Sequence, residues 1–207
     1  MWHYPEIRTF GEFIEYHGRH TPDRLALTDG ERSISFAEYD RVANKVANGL
    51  CAMGVQAGER VGFFGLNSAD YYFALIGTTK TRGAFTLFNW RLSAPEIAAL
   101  ILDSEARVVF VERALAELWQ NAVAIAGVDI ECIWISAEET LEQRFADQPV
   151  TRPDIFISEE DCAIQLYTSG TTGKPKGVML THGGFNRMRL CEALEPAYVW
   201  QDGGIFL

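Results

Sequence analysis

The sequence has 207 residues, 48% hydrophobic and 22% charged, a balance that excludes an unstructured chain and provides enough apolar side chains for a sizeable core. No apolar run approaches the ~18 residues that a bilayer crossing needs, and the start, "MWHYPEIRTFGEF", lacks a basic segment followed by an apolar one, so the cytoplasm is the expected location. A formal net charge of −10 argues against a nucleic-acid binder, and four cysteines without a CxxC pair argue against a zinc knuckle or a thioredoxin-type redox site.

Along the chain, Thr9-x-x-Glu12 is the first match to a capping box, in which a hydroxyl and a carboxylate satisfy the free amides that open a helix. "LALTDGERSISF" then reads as two strands turning at Asp29-Gly30. Ser35-x-x-Glu38 opens a second helix, with Phe36, Tyr39, Ala43, Val46 and Leu50 on one face and a stop near Gly54. A strand at 60–64, "RVGFF", precedes a helix from Ala69 to Thr81, in which Tyr71, Tyr72 and Phe73 are read as core. Strands follow at 84–88, 107–111 and 131–135, with helix starts at Ser93-x-x-Glu96 and Ser136-x-x-Glu139. Residues 146–160, carrying Pro149 and Pro153, read as a connection. "CAIQLYT" and "GVMLT" make two more strands, and residues 182–194 a helix with Phe185, Met188 and Leu190 or Cys191 available for burial.

The strands are continuous apolar runs, as strands covered on both faces tend to be, and they alternate with amphipathic helices. The fold class is therefore α/β, a layered sheet built from parallel βαβ units. Residues 1–150 are expected to form one subdomain with a small hairpin, and residues 151–207 the start of a second sheet and subdomain carrying a phosphate-binding loop. The chain stops at "IFL" after the turn signal "QDGG", which gives the expectation of an N-terminal part of a longer protein. Cys51, Cys132, Cys162 and Cys191 are read as buried free thiols.

Chemistry concentrates in "YTSGTTGKPKG", residues 167–177. Gly170, Gly173 and Gly177 let the backbone turn and present its amides, and Thr168, Ser169, Thr171 and Thr172 add hydroxyl donors. Lys174 and Lys176 can neutralise an anion, and they belong to a stretch from Cys162 to Cys191 that holds no Asp or Glu. Such a loop can wrap phosphate oxygens. It differs from the Walker-type P-loop, which needs GxxxxGK followed by Ser or Thr and a helix; here Gly173-Lys174 leads into Pro175 and a strand. A surface loop of similar composition needs no function, but the ordered T-S-G-T-T-G-x-P-K-G after an apolar strand favours phosphate binding.

"YTSGTTGKPKGVMLTH" resembles the signature of the adenylate-forming superfamily, which includes acyl-CoA synthetases, aryl-CoA ligases, luciferases and peptide-synthetase adenylation domains. "TFGEFIEYHGRHTPDRLAL", "SFAEYDRVANKVANGL" and "GERVGFFGLNSADYYFALIGTTKTRGAF" are similar to its N-terminal region in content and order. The resemblance implies activation of a carboxylic acid, with a fatty acid as one candidate, using ATP and Mg²⁺, then transfer of the acyl group to a thiol such as that of CoA. It implies that Thr168, Ser169, Gly170, Thr171, Thr172, Gly173, Lys174 and Lys176 hold the β- and γ-phosphates. Lys176 would stabilise the departing pyrophosphate electrostatically, and the Thr168 hydroxyl would face Mg²⁺. The family's acidic Mg²⁺ partner, adenine and ribose contacts and C-terminal lysine fall downstream of the match, so these residues alone are expected not to complete adenylation. The rival readings are an adenylation domain serving a carrier protein and a truncated relative that binds nucleotide without turnover.

Three other places carry candidate side chains. His182 could contact the nucleotide or pack at a helix end. His17 and His20 lie three apart without further ligands, which argues against a metal site. Trp90-Arg91, after a strand, could position substrate, although a packing tryptophan beside a surface arginine is the preferred reading.

Overall fold

The computed structural model describes residues 7–168 and 175–194. Thr9 caps α1 (Phe10–His20) through a complete capping box with Glu12. Strands β1 (Leu25–Asp29) and β2 (Arg32–Ser35) form the expected antiparallel hairpin, turning at Gly30 with φ +58°, a left-handed backbone that glycine adopts without strain. Ser35 then caps α2 (Phe36–Ala52).

From there strand and helix alternate: β3 (Arg60–Phe64), α3 (Ala69–Thr79), β4 (Ala84–Leu87), α4 (Ala94–Ser104), β5 (Val108–Glu112), α5 (Ala116–Ala126), β6 (Glu131–Ile135) and the short α6 (Leu141–Arg144). After the connection come β7 (Cys162–Thr168), β8 (Lys176–Thr181) and α7 (His182–Leu194). The strands form one sheet in the order β6-β5-β3-β4-β7-β8, parallel except for the β7–β8 hairpin. The expected second sheet is not formed at this point: β7 pairs with β4 through Phe85↔Ile164 and Thr86↔Gln165, so the loop-bearing hairpin extends the first sheet.

Strand β5 shows why its sequence is apolar without a break. Val108 and Phe110 enter a cluster with Val46, Phe63 and Phe73 under α2 and α3, while Val109 and Val111 enter a second with Phe64, Phe88 and Trp119 under α4 and α5. All four are buried, so neither face of the strand is left to polar residues.

Two other sequence expectations are corrected. Ser136 and Glu139 close a turn rather than a helix, and the helix starts after Thr140, whose capping box uses Gln143. Helix α5 is absent from the sequence reading because its N-cap position is Leu115, with no side-chain cap. Its end is signalled, by Gly127 at φ +66°.

The 146–160 connection is held along α2 by two side-chain amides. Asn44 donates to the Val150 carbonyl (2.9 Å), and Asn48 to those of Pro149 (3.0 Å) and Thr151 (2.8 Å). Where the chain returns to the sheet, Arg82 donates to both carboxylate oxygens of Asp161, at 3.0 and 2.9 Å. Beneath α1, the fully buried Lys80 pairs with Asp40 and donates to Asn44 Oδ1 at 2.5 Å. Burial pushes its ammonium pKa down, and Asp40 opposes that shift.

Candidate active site

The strand order reverses direction at β3. The chain goes from β3 through α3 to β4 on one side, then from β4 through α4 back to β5 on the other. Helices leaving on opposite faces open a crevice at the carboxyl ends of the two strands, the place where open α/β sheets bind ligands. A cleft of ≈ 650 Å³ lies there, lined by Gly65 and Asn67 after β3, by Leu87 to Leu92 after β4, by Glu96 and Leu100 of α4, and by Leu166, Tyr167, Thr168 and Pro175.

The loop after β4 is built by local hydrogen bonds. Phe88 donates its N–H to the Phe63 carbonyl (2.9 Å), and Asn89 Oδ1 accepts from the Arg91 N–H (3.0 Å). The Arg91 guanidinium lies 4.2 Å from the Trp90 ring centroid. Trp90 packs its half-buried ring against the Phe88 cluster and also lines the cleft, so the packing and substrate-facing readings of this pair are compatible. Glu96, at the rim, is committed to the Ser93 cap; the hydrogen bonds from the Ser93 hydroxyl and N–H hold its carboxyl below the usual range.

Across the cleft stands the β7–β8 hairpin. Thr168 and Lys176 face each other at the last rung of the ladder, both exposed, with Thr168 and Pro175 on the cleft wall. Ser169, Gly170, Thr171, Thr172, Gly173 and Lys174 lie outside the described residues. Fold and sequence therefore bring the two ends of the signature to the mouth of the cleft. Just below, the Tyr167 hydroxyl donates to Asp103 Oδ2 of α4 (2.7 Å) and accepts from Gln165 Nε2 (3.1 Å). Burial and then Asp103 raise the phenol pKa well above its ordinary value, so it remains a donor at neutral pH.

His182 does not share this site. It follows the far end of β8, and six residues of strand at ~3.3 Å each put it about 20 Å from the turn. It is completely buried, with Nδ1 accepting the Phe10 N–H at 3.0 Å, while Phe10 and Phe185 pack with centroids 4.8 Å apart. Burial lowers its pKa to about 4, against the opposing pull of Asp161 and Glu12. Its role is to dock α7 on α1.

The remaining candidates are engaged elsewhere. His17 Nδ1 meets Thr21 Oγ1 (3.2 Å), and His20 stacks on Tyr16 with centroids 4.0 Å apart. Phe73 is fully buried and Tyr71 packs on the core, but Tyr72 is exposed. Cys51, Cys132 and Cys162 are free and half-buried rather than buried; Cys191 lies where no side chain is described. Among the described residues no helix is long and apolar enough to cross a membrane.

The model of the family described as "AMP-binding enzyme" matches residues 14–203. The chain belongs to the AMP-binding enzyme family. Among curated relatives, it is 32% identical over 208 residues to fatty acid–acyl-carrier-protein ligase ScoC of Streptomyces coeruleorubidus, covering 99% of this chain and 39% of the relative. It is 33% identical to a feruloyl-CoA synthase of Amycolatopsis sp, covering 80% of this chain and 32% of that protein. Among solved structures, an anthranilate CoA ligase AuaEII in complex with anthranoyl-AMP superposes with a TM-score of 0.81 at 26% identity, over 92% of this chain and 36% of the other. The N-terminal domain of FACL13 from Mycobacterium tuberculosis gives a TM-score of 0.76 at 27% identity, covering 84% and 44%. The chain thus spans less than half the length of these relatives.

Sequence reasoning missed Tyr167, Gln165 and Asp103 as a connected group. The signal available was strand parity: residues 165 and 167 share one face of β7, and that face looks at α4.

Proposed function

We propose that this chain is the phosphate-binding part of an ATP-dependent acid–thiol ligase that acts on a carboxylic acid, a fatty acid first among the candidates, in the cytoplasm. The observation that carries the reading is the signature hairpin, with Thr168 and Pro175 on the wall of a cleft at the sheet's switch point and Lys176 paired with Thr168 across the ladder. The donors there suit a polyanion: the Thr168 hydroxyl, Asn67, Asn89 and Arg91, with the exposed Lys176 opposite Thr168 on β8, and Glu96, the one carboxylate among the described lining residues, already bonded to Ser93.

In this reading the segment Thr168 to Lys176 holds the β- and γ-phosphates of ATP. A carboxylate oxygen of the acid attacks the α-phosphorus, the bond from that phosphorus to the bridging oxygen breaks, and pyrophosphate leaves with the electron pair. Loop amides and Lys176 stabilise the charge that gathers on the leaving group. Mg²⁺, when bound, would supply further charge neutralisation, and the exposed Thr168 hydroxyl is the oxygen ligand this segment offers it. A thiolate then attacks the acyl carbonyl, and AMP departs.

CoA is the first acceptor, in keeping with the CoA ligases among the relatives. A carrier-protein thiol is the second reading, favoured by the ScoC match over 99% of this chain. The test is ATP–pyrophosphate exchange by the full-length protein with a panel of acids, followed by thioester formation with CoA or an acyl carrier protein. Acid-dependent exchange is expected. ATP binding without exchange, whatever the acid, would favour a non-catalytic relative.

A further inference from the structure

The segment that this reading assigns to ATP begins next to a residue anchored to helix α4. Tyr167 immediately precedes Thr168; its ring packs against the Phe64, Phe88 and Trp119 cluster, and its hydroxyl reaches Asp103 at 2.7 Å. Asp103 sits in the last turn of α4, while Glu96 and Leu100 of the same helix line the cleft. One helix therefore contributes to the cleft wall and holds the base of the hairpin.

Two neighbours make this arrangement specific. Gln165 donates to the phenol oxygen at 3.1 Å, and its own backbone carbonyl accepts from the Thr86 hydroxyl at 3.1 Å, tying the group into β4. Gly177 pairs with Tyr167 across the ladder. A Cβ there would collide with the Gln165 amide and come within 3.2 Å of Tyr167 Cε1, so the glycine leaves the space that the two side chains cross. Among the described residues β8 is the last strand of the sheet, with Val178 and Met179 exposed, so there it is paired with β7 alone.

Resting on the ATP reading above, we propose that Tyr167 is a positioning residue: its hydrogen bond to Asp103 fixes the end of β7 on α4, so that Thr168 and its ladder partner Lys176 meet the ATP phosphates in one geometry. The tether acts on ATP and leaves recognition of the acid unchanged. Gly177 is required for it by the space it leaves.

The experiment is a double-mutant cycle in the full-length protein, reading KM for ATP and for the acid by pyrophosphate exchange, with thermal melting alongside. Tyr167→Phe and Asp103→Ala are each expected to raise KM for ATP about tenfold, the scale of one lost hydrogen bond to a charged acceptor, with KM for the acid within about twofold. The double variant should match either single one. Asp103→Asn, whose amide oxygen still accepts from the phenol, should stay near wild type. A fall in melting temperature with KM for ATP unchanged, or single effects that multiply in the double variant, would overturn the tether. Thr171→Ala, Thr172→Ala and Lys176→Ala assayed in parallel separate the two ideas. If those leave KM for ATP unchanged, the ATP reading and the tether fall together; if they raise it and Tyr167→Phe does not, the tether alone falls.

Discussion

The parallel strands β3 to β6 and the β7–β8 hairpin share one sheet but are held in different ways. In the parallel part, side chains such as Phe63, Phe64, Phe110 and Val111 are fully buried between helices on both faces. Along the hairpin the ladder is antiparallel, Leu166, Val178 and Met179 are exposed, and named hydrogen bonds near the turn replace bulk packing. The difference suggests a testable division: burial holds the scaffold, and a few polar contacts, Tyr167 with Asp103 and Gln165, hold the end of β7.

The sharpest way to break that separation is to attack each side alone. Phe110→Ala should cost ~3–5 kcal/mol of stability through the cavity it leaves, seen in denaturant melts, while KM for ATP of the remaining folded protein stays unchanged. Lys176→Ala should do the reverse. Loss of a charge-assisted contact worth ~1.5–3 kcal/mol predicts a drop of roughly 10- to 150-fold in kcat/KM for ATP, with the melt unmoved because this side chain is exposed. If Lys176→Ala unfolded the protein, or Phe110→Ala shifted KM for ATP, the two regions would not be separable.

Acid sharpens the comparison further. His182 has its folded pKa depressed from 6.5 to about 4, so its contribution to stability is complete above pH 6.5 and is lost as pH falls through about 4. His182→Asn should flatten that part of the stability–pH curve. Asp70 works in the opposite sense. Burial first, opposed by the Leu141 N–H it accepts at 3.0 Å, raises its pKa from 3.8 to about 6, so stability falls as pH rises from 3.8 through about 6. Asp70→Asn keeps an acceptor for Leu141 and should melt slightly higher than wild type at pH 8. This is the smallest of the expected effects.

Legibility in the sequence follows the same division. Strand β3 and helix α2 were readable because continuous burial and a capped amphipathic face each leave a local pattern, down to the Ser35 cap. Helix α5 was not, since Leu115 stands where a polar cap would signal a start. Ser136-x-x-Glu139 misled because the same hydroxyl–amide contacts that open a helix also close a turn. The signature loop was visible from its residues, but the placement of its hairpin was not: nothing near Cys162 states that β7 will pair with β4 rather than begin a new sheet. Tyr167 and Asp103 lie 64 positions apart, and only the packing of α4 on the sheet brings them together.

The most direct measurement is ATP affinity of the full-length protein by titration calorimetry, comparing wild type with a variant carrying Thr171→Ala, Thr172→Ala and Lys176→Ala. A hairpin that grips the triphosphate predicts at least a tenfold weaker Kd for ATP and little change for AMP, which lacks the β- and γ-phosphates. Equal ATP affinity in the two proteins, with both folded, would contradict it.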